Sequence, residues 1–316
     1  MDLAQQLNLL LGDFSHLAPR IKNLAYDTCA CGDRIDVRCS YISFRDGQAT
    51  FDDFIDVIVD LIIPFCLPRH EIRTAQKETS GVDHIAASRV MNRLSSKARD
   101  LFIKAKKGSN RSGEAGEILL YVLTEWLLKA PQIVSKMYLK TNTNMPVHGT
   151  DGIHARYDKV SKKLHLYWGE SKAHKTLSSA LGSALASISE FIDESYDKRE
   201  IDIVSAYADF DGLEKEAKEA FLRYLDPYTE ESNDRVVTHS CLLIFEFTPS
   251  IGNDPDKAEA LFVEAVNESV EDFINSIKET IVDKGLGPQR FEFFLAPVPS
   301  VQDFRDKFQQ RIGWSP

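Results

Sequence analysis

The chain has 316 residues, 43% of them hydrophobic and 27% charged, with a formal net charge of −10. That length suits one large domain or two smaller ones, and the composition supplies a sizeable core. The acidic balance argues against a protein that holds nucleic acid unaided over a broad surface, and no apolar run is long enough to span a bilayer.

Met1 to Gln6 shows no basic segment or cleavage site, so a cytoplasmic location is expected. Five cysteines are too few, and odd in number, for a disulfide framework. Cys29, Cys31 and Cys39 lie close together, with Cys66 further on. Their spacing is not a standard zinc pattern, which favours reduced structural thiols over a metal site.

Leu3 to Leu11 reads as a short strand or helix, and Ile35 to Phe44 alternates as a strand does. Thr50 can cap a helix over Phe51 to Phe65 with acids in its first turn. His84 to Lys107 is a long polar helix, broken at Lys107-Gly108-Ser109-Asn110. That break divides an N-terminal α/β region, 1–108, expected to dock a partner, from a second domain, 109–316. Arg89, Arg93, Lys97, Arg99, Lys104, Lys106, Lys107 and Arg111 crowd the segment before and across the break. A solvated helix face and a phosphate-tracking strip are equally open readings.

Ser112 can cap the next helix, which places Glu114 and Glu117 at its start and Ile118, Leu119, Val122, Leu123, Trp126 and Leu127 on its apolar face, up to Pro131. Ile133 to Lys140 is strand-like, Asn142 to Gly149 a polar turn, and Asp151 to Tyr157 with Leu164 to Glu170 a hairpin. A helix over Leu177 to Glu194 follows. Then come a strand over Ile201 to Tyr207, a helix over Leu213 to Leu225, and a strand over Val236 to Phe247. Asp254 can cap a helix running to about Asp283, before a strand over Phe291 to Ala296 and a closing helix over Val301 to Ile312. This alternation predicts a mixed sheet covered by helices.

Chemistry concentrates in the hairpin. Phosphodiester hydrolysis needs carboxylates that hold a divalent cation and a group that positions water. Asp151, Glu170 and Lys172 are the right types. A Glu-x-Lys tripeptide is cheap by itself, and Glu216-Ala217-Lys218 is a decoy within a solvated helix. Glu170 and Lys172 differ by setting: they share a strand face with Leu164, Leu166 and Trp168. Charges that extend an apolar face are costly unless paired or bound to a metal. Asp151, on the same face as Ile153 and Ala155, comes opposite the Glu170 end. Glu114 and Glu117 lie on one side of their helix; one serves the helix dipole, and Glu117 is preferred for the site because it should lie nearer the buried face. His148, His154 and His174 flank the constellation; any could touch phosphate or metal, but a hydrogen-bonding role is the commoner one for such a residue. His-Glu-x-x-His, phosphate-loop and Gly-x-Ser-x-Gly patterns are absent.

These pieces resemble the PD-(D/E)xK nuclease superfamily: Gly116-Glu117 on the first helix, Asp151 on the second core strand and Glu170-x-Lys172 on the third. Thr150 replaces the usual proline. More narrowly, Gly-Glu-Ala-Gly-Glu-Ile-Leu-Leu-Tyr, His-Gly-Thr-Asp-Gly-Ile-His and Trp-Gly-Glu-Ser-Lys resemble the HamA effector family of Hachiman anti-phage defence, most strongly over 113–194. The resemblance implies an α/β, restriction-endonuclease-like mixed central sheet flanked by helices, and a DNA substrate. It also implies a superfamily 2 helicase partner, HamB, and cleavage in infected cells. On that reading Asp151, Glu170, the Ser171 carbonyl and Glu117 bind Mg²⁺, with Mn²⁺ as the alternative, while Lys172 positions water. Lys104, Lys106, Lys107, Arg111, His174 and Lys175 are the expected DNA contacts. A stand-alone restriction or repair endonuclease, and an inactive nuclease-like binding module, are the alternatives.

Overall fold

Residues 2–26, 34–106, 113–140, 150–193 and 196–314 are described by the computed structural model. The chain begins α1 (Leu3–Asn8), β1 (Ile21–Ala25), β2 (Ile35–Ile42), β3 (Phe44–Arg45), β4 (Gln48–Ala49), α2 (Phe51–Val59) and α3 (Ile62–Cys66). Next come α4 (Arg69–Thr79), α5 (His84–Lys106), α6 (Glu114–Leu128), β5 (Gln132–Val134), α7 (Lys136–Lys140), β6 (Gly152–Asp158) and β7 (Lys163–His174). It closes with α8 (Leu177–Asp193), α9 (Tyr196–Tyr207), α10 (Lys215–Arg223), β8 (Arg235–Glu246), α11 (Pro255–Asp283), β9 (Phe291–Val298) and α12 (Val301–Arg311).

Seven strands form one mixed sheet in the order β1-β2-β9-β8-β7-β6-β5. The four central strands are parallel, and β1, β6 and β5 pair antiparallel at the edges. The steps from β7 to β8 and from β8 to β9 move the same way through the sheet. Right-handed crossovers therefore carry both connections over the same face. Helices α8 and α11 accordingly share a core with Cys241, Leu243 and Phe293, and Phe191, Val204 and Phe221 from α8, α9 and α10 pack with Ile153, Leu166 and Trp168. The opposite face, with Tyr167, Leu242, Ile244 and Phe294, is covered by α2, α3, α5, α6 and α12.

Caps set several boundaries. Asp254 Oδ1 accepts from the Asp256 amide at 3.2 Å with Pro255 in the first turn, as the sequence indicated. Gly113 is the N-cap of α6, while Ser112 lies outside the described residues.

Three expectations are corrected. Ile201 to Tyr207 is helical, because Glu200, Ile203 and Val204 are buried together at helical spacing and no alternation survives. The strand expected over Ile133 to Lys140 stops at Val134 and continues as α7. The helix expected over Phe51 to Phe65 is two helices, α2 and α3. Strand β1 and helix α4 had no clear sequence signal.

The expected boundary at 108 lies within 107–112, outside the described residues. On either side of it the sheet is shared: β2 pairs with β9, and one core holds Phe54, Ile58 and Phe102 together with Leu119 and Phe304. No described helix is long and apolar enough to cross a membrane.

Candidate active site

The β6–β7 hairpin runs in uninterrupted register from Asp158 opposite Lys163 to Gly152 opposite Gly169. One step further, the Asp151 amide donates to the Gly169 carbonyl at 2.7 Å, and the Ser171 amide donates to Asp151 Oδ2 at 2.9 Å. Main chain and side chain of Asp151 are thus both held against β7. Glu170 is paired with Cys241 of β8, so its backbone is fixed within the sheet. Lys172 Nζ lies 2.5 Å from Glu170 Oε1, with side-chain exposures of 25% and 12%. Burial, then the Asp151 charge, push the Glu170 carboxyl up to about 7, against the opposing pull of Lys172 and the Ser187 hydroxyl. This group stands at the carboxyl edge of the parallel strands, where open α/β sheets bind ligands.

Further cations gather at the same edge. Arg305 on α12 donates through Nη2 to the Ala173 carbonyl at 2.6 Å. Burial lowers the His174 imidazole, and Arg305 and Lys172 push it the same way. Lys175 is exposed just beyond β7. The decoy Glu216 is exposed on α10, where Lys215 and Glu219 form a surface pair.

Helix α6 packs on the other face of the sheet. A Cβ at Gly116 would lie 2.4 Å from Ser171 Oγ and 3.2 Å from Ile244 Cδ1, so only glycine permits this approach. Leu120 fills the space above Gly169, and Thr124 Oγ1 lies 3.3 Å from Ser240 Oγ. Gly116, Leu120 and Thr124 therefore form the sheet-facing stripe. At about 100° per residue, Glu117 is turned roughly 60° from its centre and Glu114 roughly 120°. Yet Glu114 is the more buried of the two, contrary to the expectation that Glu117 would lie nearer the buried face. The structure brings Asp151, Glu170, Ser171 and Lys172 together, and sets Glu117 across the sheet beside the Ser171 contact.

Two site residues carried no signal in the sequence. Lys136 on α7 and Glu200 on α9 are both buried, with Lys136 Nζ 2.6 Å from Glu200 Oε1. The same ammonium donates to the Thr150 carbonyl at 2.7 Å and to Thr150 Oγ1 at 2.8 Å. Thr150 immediately precedes Asp151, so the buried pair anchors the approach to the carboxylate. Read locally, a lysine and a glutamate 64 positions apart are two surface residues; only the fold pairs them.

The remaining candidates divide. His154 is buried, its Nδ1 2.9 Å from the Ala130 carbonyl, and burial lowers it to about 4, so it is a neutral core residue. Arg93 and Lys97 on α5 pair with Glu78 and Glu71 on α4. His148, Lys107, Arg111, Cys29, Cys31 and the side chains of Lys104 and Lys106 lie outside the described residues. Cys39 and Cys66 are buried free thiols in separate cores.

Among the described residues no three His, Cys, Asp or Glu side chains converge as a metal cage. Asp151 and Glu170 nonetheless fit Mg²⁺, which takes one or two protein carboxylates and keeps several waters. Their mutual repulsion at a half-buried edge is what a divalent cation would relieve.

Fold and site together define a mixed α/β protein, its seven-stranded sheet flanked by helices, with paired carboxylates and a lysine at the carboxyl edge of the sheet. A family model described as HamA matches residues 20–312, and the chain belongs to the HamA family, which makes it a component of Hachiman defence. A search of curated proteins finds no match.

Proposed function

We propose that the chain is a metal-dependent DNA endonuclease, the effector of its defence system. The observation that carries this reading is the Glu170–Lys172 pair, set on an apolar strand face and facing an Asp151 that the Ser171 amide holds. Asp151, Glu170 and the Ser171 carbonyl would hold Mg²⁺, which when bound polarises the phosphodiester and acidifies water. Lys172 orients the attacking water and draws the Glu170 carboxyl toward its ionised form, against burial and the Asp151 charge. Glu117 acts from across the sheet through water, and His174 and Lys175 continue β7 as phosphate contacts. Wild-type protein should cut plasmid DNA with Mg²⁺ and not with EDTA, and folded Lys172→Ala and Asp151→Ala variants should not. Normal cutting by those variants would sink the assignment and leave a binding module.

The partner in this reading is the helicase HamB. A chain of charge −10, whose Arg93 and Lys97 already serve acids of α4, is poorly built to capture duplex DNA alone. Co-purification with the helicase, and weak duplex binding by the isolated chain, are expected. Tight binding by the isolated chain would count against the division of labour.

A further inference from the structure

At the amino edge of the parallel strands, opposite the carboxylate pair, lies a cavity of about 170 Å³. It opens where β2, β9, β8 and β7 begin and where α6 ends at Leu128. Glu170 is five residues further along β7 than His165 in its wall, roughly 16 Å away at strand rise. Among the described residues its lining includes four arginines, Arg34, Arg38, Arg156 and Arg290, against two carboxylates, Asp36 and Glu292. In a chain of net charge −10 this is a local reversal of sign.

Two carboxylates in the wall do not neutralise four guanidinium groups. Arg38 pairs with Glu292, and Arg34 donates to the Pro288 carbonyl, a neutral acceptor. Arg156 Nε is buried with no hydrogen-bond partner among the described residues. The carbonyl end of α6 offsets part of the remaining charge but supplies no anion. Burial lowers the His165 imidazole and the Arg156 charge lowers it further, so His165 is a neutral ring able to donate one hydrogen bond.

We infer that this cavity is a binding site for a phosphate group, separate from the carboxylate edge. Guanidinium forks match phosphate oxygens in pairs, and four of them line this one small cavity. The volume is below that of typical cofactor pockets, which selects a phosphate-sized anion over a whole nucleotide. That phosphate could be free in solution or the terminal phosphate of a DNA strand; both present the same dianion.

The test uses the full chain in EDTA, with inorganic phosphate as the probe and chloride matched for ionic strength. Phosphate should raise Tm in a saturable manner that chloride does not reproduce. Arg156→Gln should weaken phosphate by about tenfold, the loss of one charge-assisted hydrogen bond. Arg34→Gln, an exposed position tolerant of substitution, should weaken it as well. Lys172→Ala at the far edge should keep the full response. Tighter binding of a 5′-phosphorylated than a 5′-hydroxyl oligonucleotide identifies a DNA end as the source, and equal binding identifies free phosphate. An equal response to chloride, or unchanged phosphate binding in both arginine variants, overturns the site. This outcome is independent of whether the chain cleaves DNA.

Discussion

The Lys136 ammonium reaches three oxygens in a space closed to water: Thr150 O, Thr150 Oγ1 and Glu200 Oε1. Removing one member strands the other charge, so Lys136→Met should cost about 3–5 kcal/mol, read as a fall in the urea midpoint. Lys136→Met with Glu200→Leu removes both charges and should recover most of that stability. The Thr150 carbonyl remains without its anchor in the double variant, so the Mg²⁺-dependent cleavage proposed above should stay low. Wild-type cleavage by the double variant would show that the pair only stabilises the fold. A second residue-scale test concerns Gly116. Alanine is the better helix former by about 1 kcal/mol, yet its methyl would meet Ser171 Oγ at 2.4 Å. Gly116→Ala should therefore destabilise by about 1–3 kcal/mol, and Ser171→Ala in the same chain should restore much of the loss. Thermal unfolding of the two variants checks both statements.

Among the elements, α6 does more than cover the sheet. Its buried Glu125 accepts from the Gln132 amide of β5 at 2.7 Å and from the Gly12 amide at 3.2 Å. Arg69 of α4 stands 3.7 Å away, and its own amide donates to Asp209 Oδ2 at 2.6 Å. One carboxyl thus ties α6, β5, α4 and the segment after α1. Burial is the leading influence and raises Glu125 to about 7, against Arg69 and the two amides. With the folded value above the unfolded one, its stabilising contribution is full below about pH 4.5 and is lost as pH rises through about 7. Relative to Glu125→Gln, the wild type should lose on the order of 3 kcal/mol over that window, measured as urea midpoints against pH. A parallel pH profile in the variant would contradict this. The elements also show what the sequence could and could not reveal. The hairpin parity was legible because Leu164, Leu166, Trp168, Glu170 and Lys172 alternate without a break. Which face each helix takes was not, because α6 and α8 are both apolar and only the crossovers separate them. The strand reading of Ile201 to Tyr207 failed because its β-branched residues suit a strand as well as a buried helix face, while the buried Glu200 looked like a surface charge.

For the molecule as a whole, the shared sheet and core make the 113–316 portion incomplete. It would expose Leu119 and Phe304 where Phe54, Ile58 and Phe102 now pack, and leave the β9 edge unpaired. The full chain should unfold in a single cooperative transition. A 113–316 fragment should lack native near-ultraviolet circular dichroism and aggregate; a soluble, native-like fragment would establish two independent domains instead.

The same pairing orders events in time. Ile35 of β2 meets Phe291 of β9, so an early strand waits beside an empty slot until a strand synthesised far later has left the ribosome. Such distant pairings close slowly and leave edges exposed meanwhile. The hairpin that holds Asp151 and Glu170 is synthesised well before the sheet behind it is complete. A nascent copy would therefore carry Asp151 and Glu170 without the scaffold that aims them.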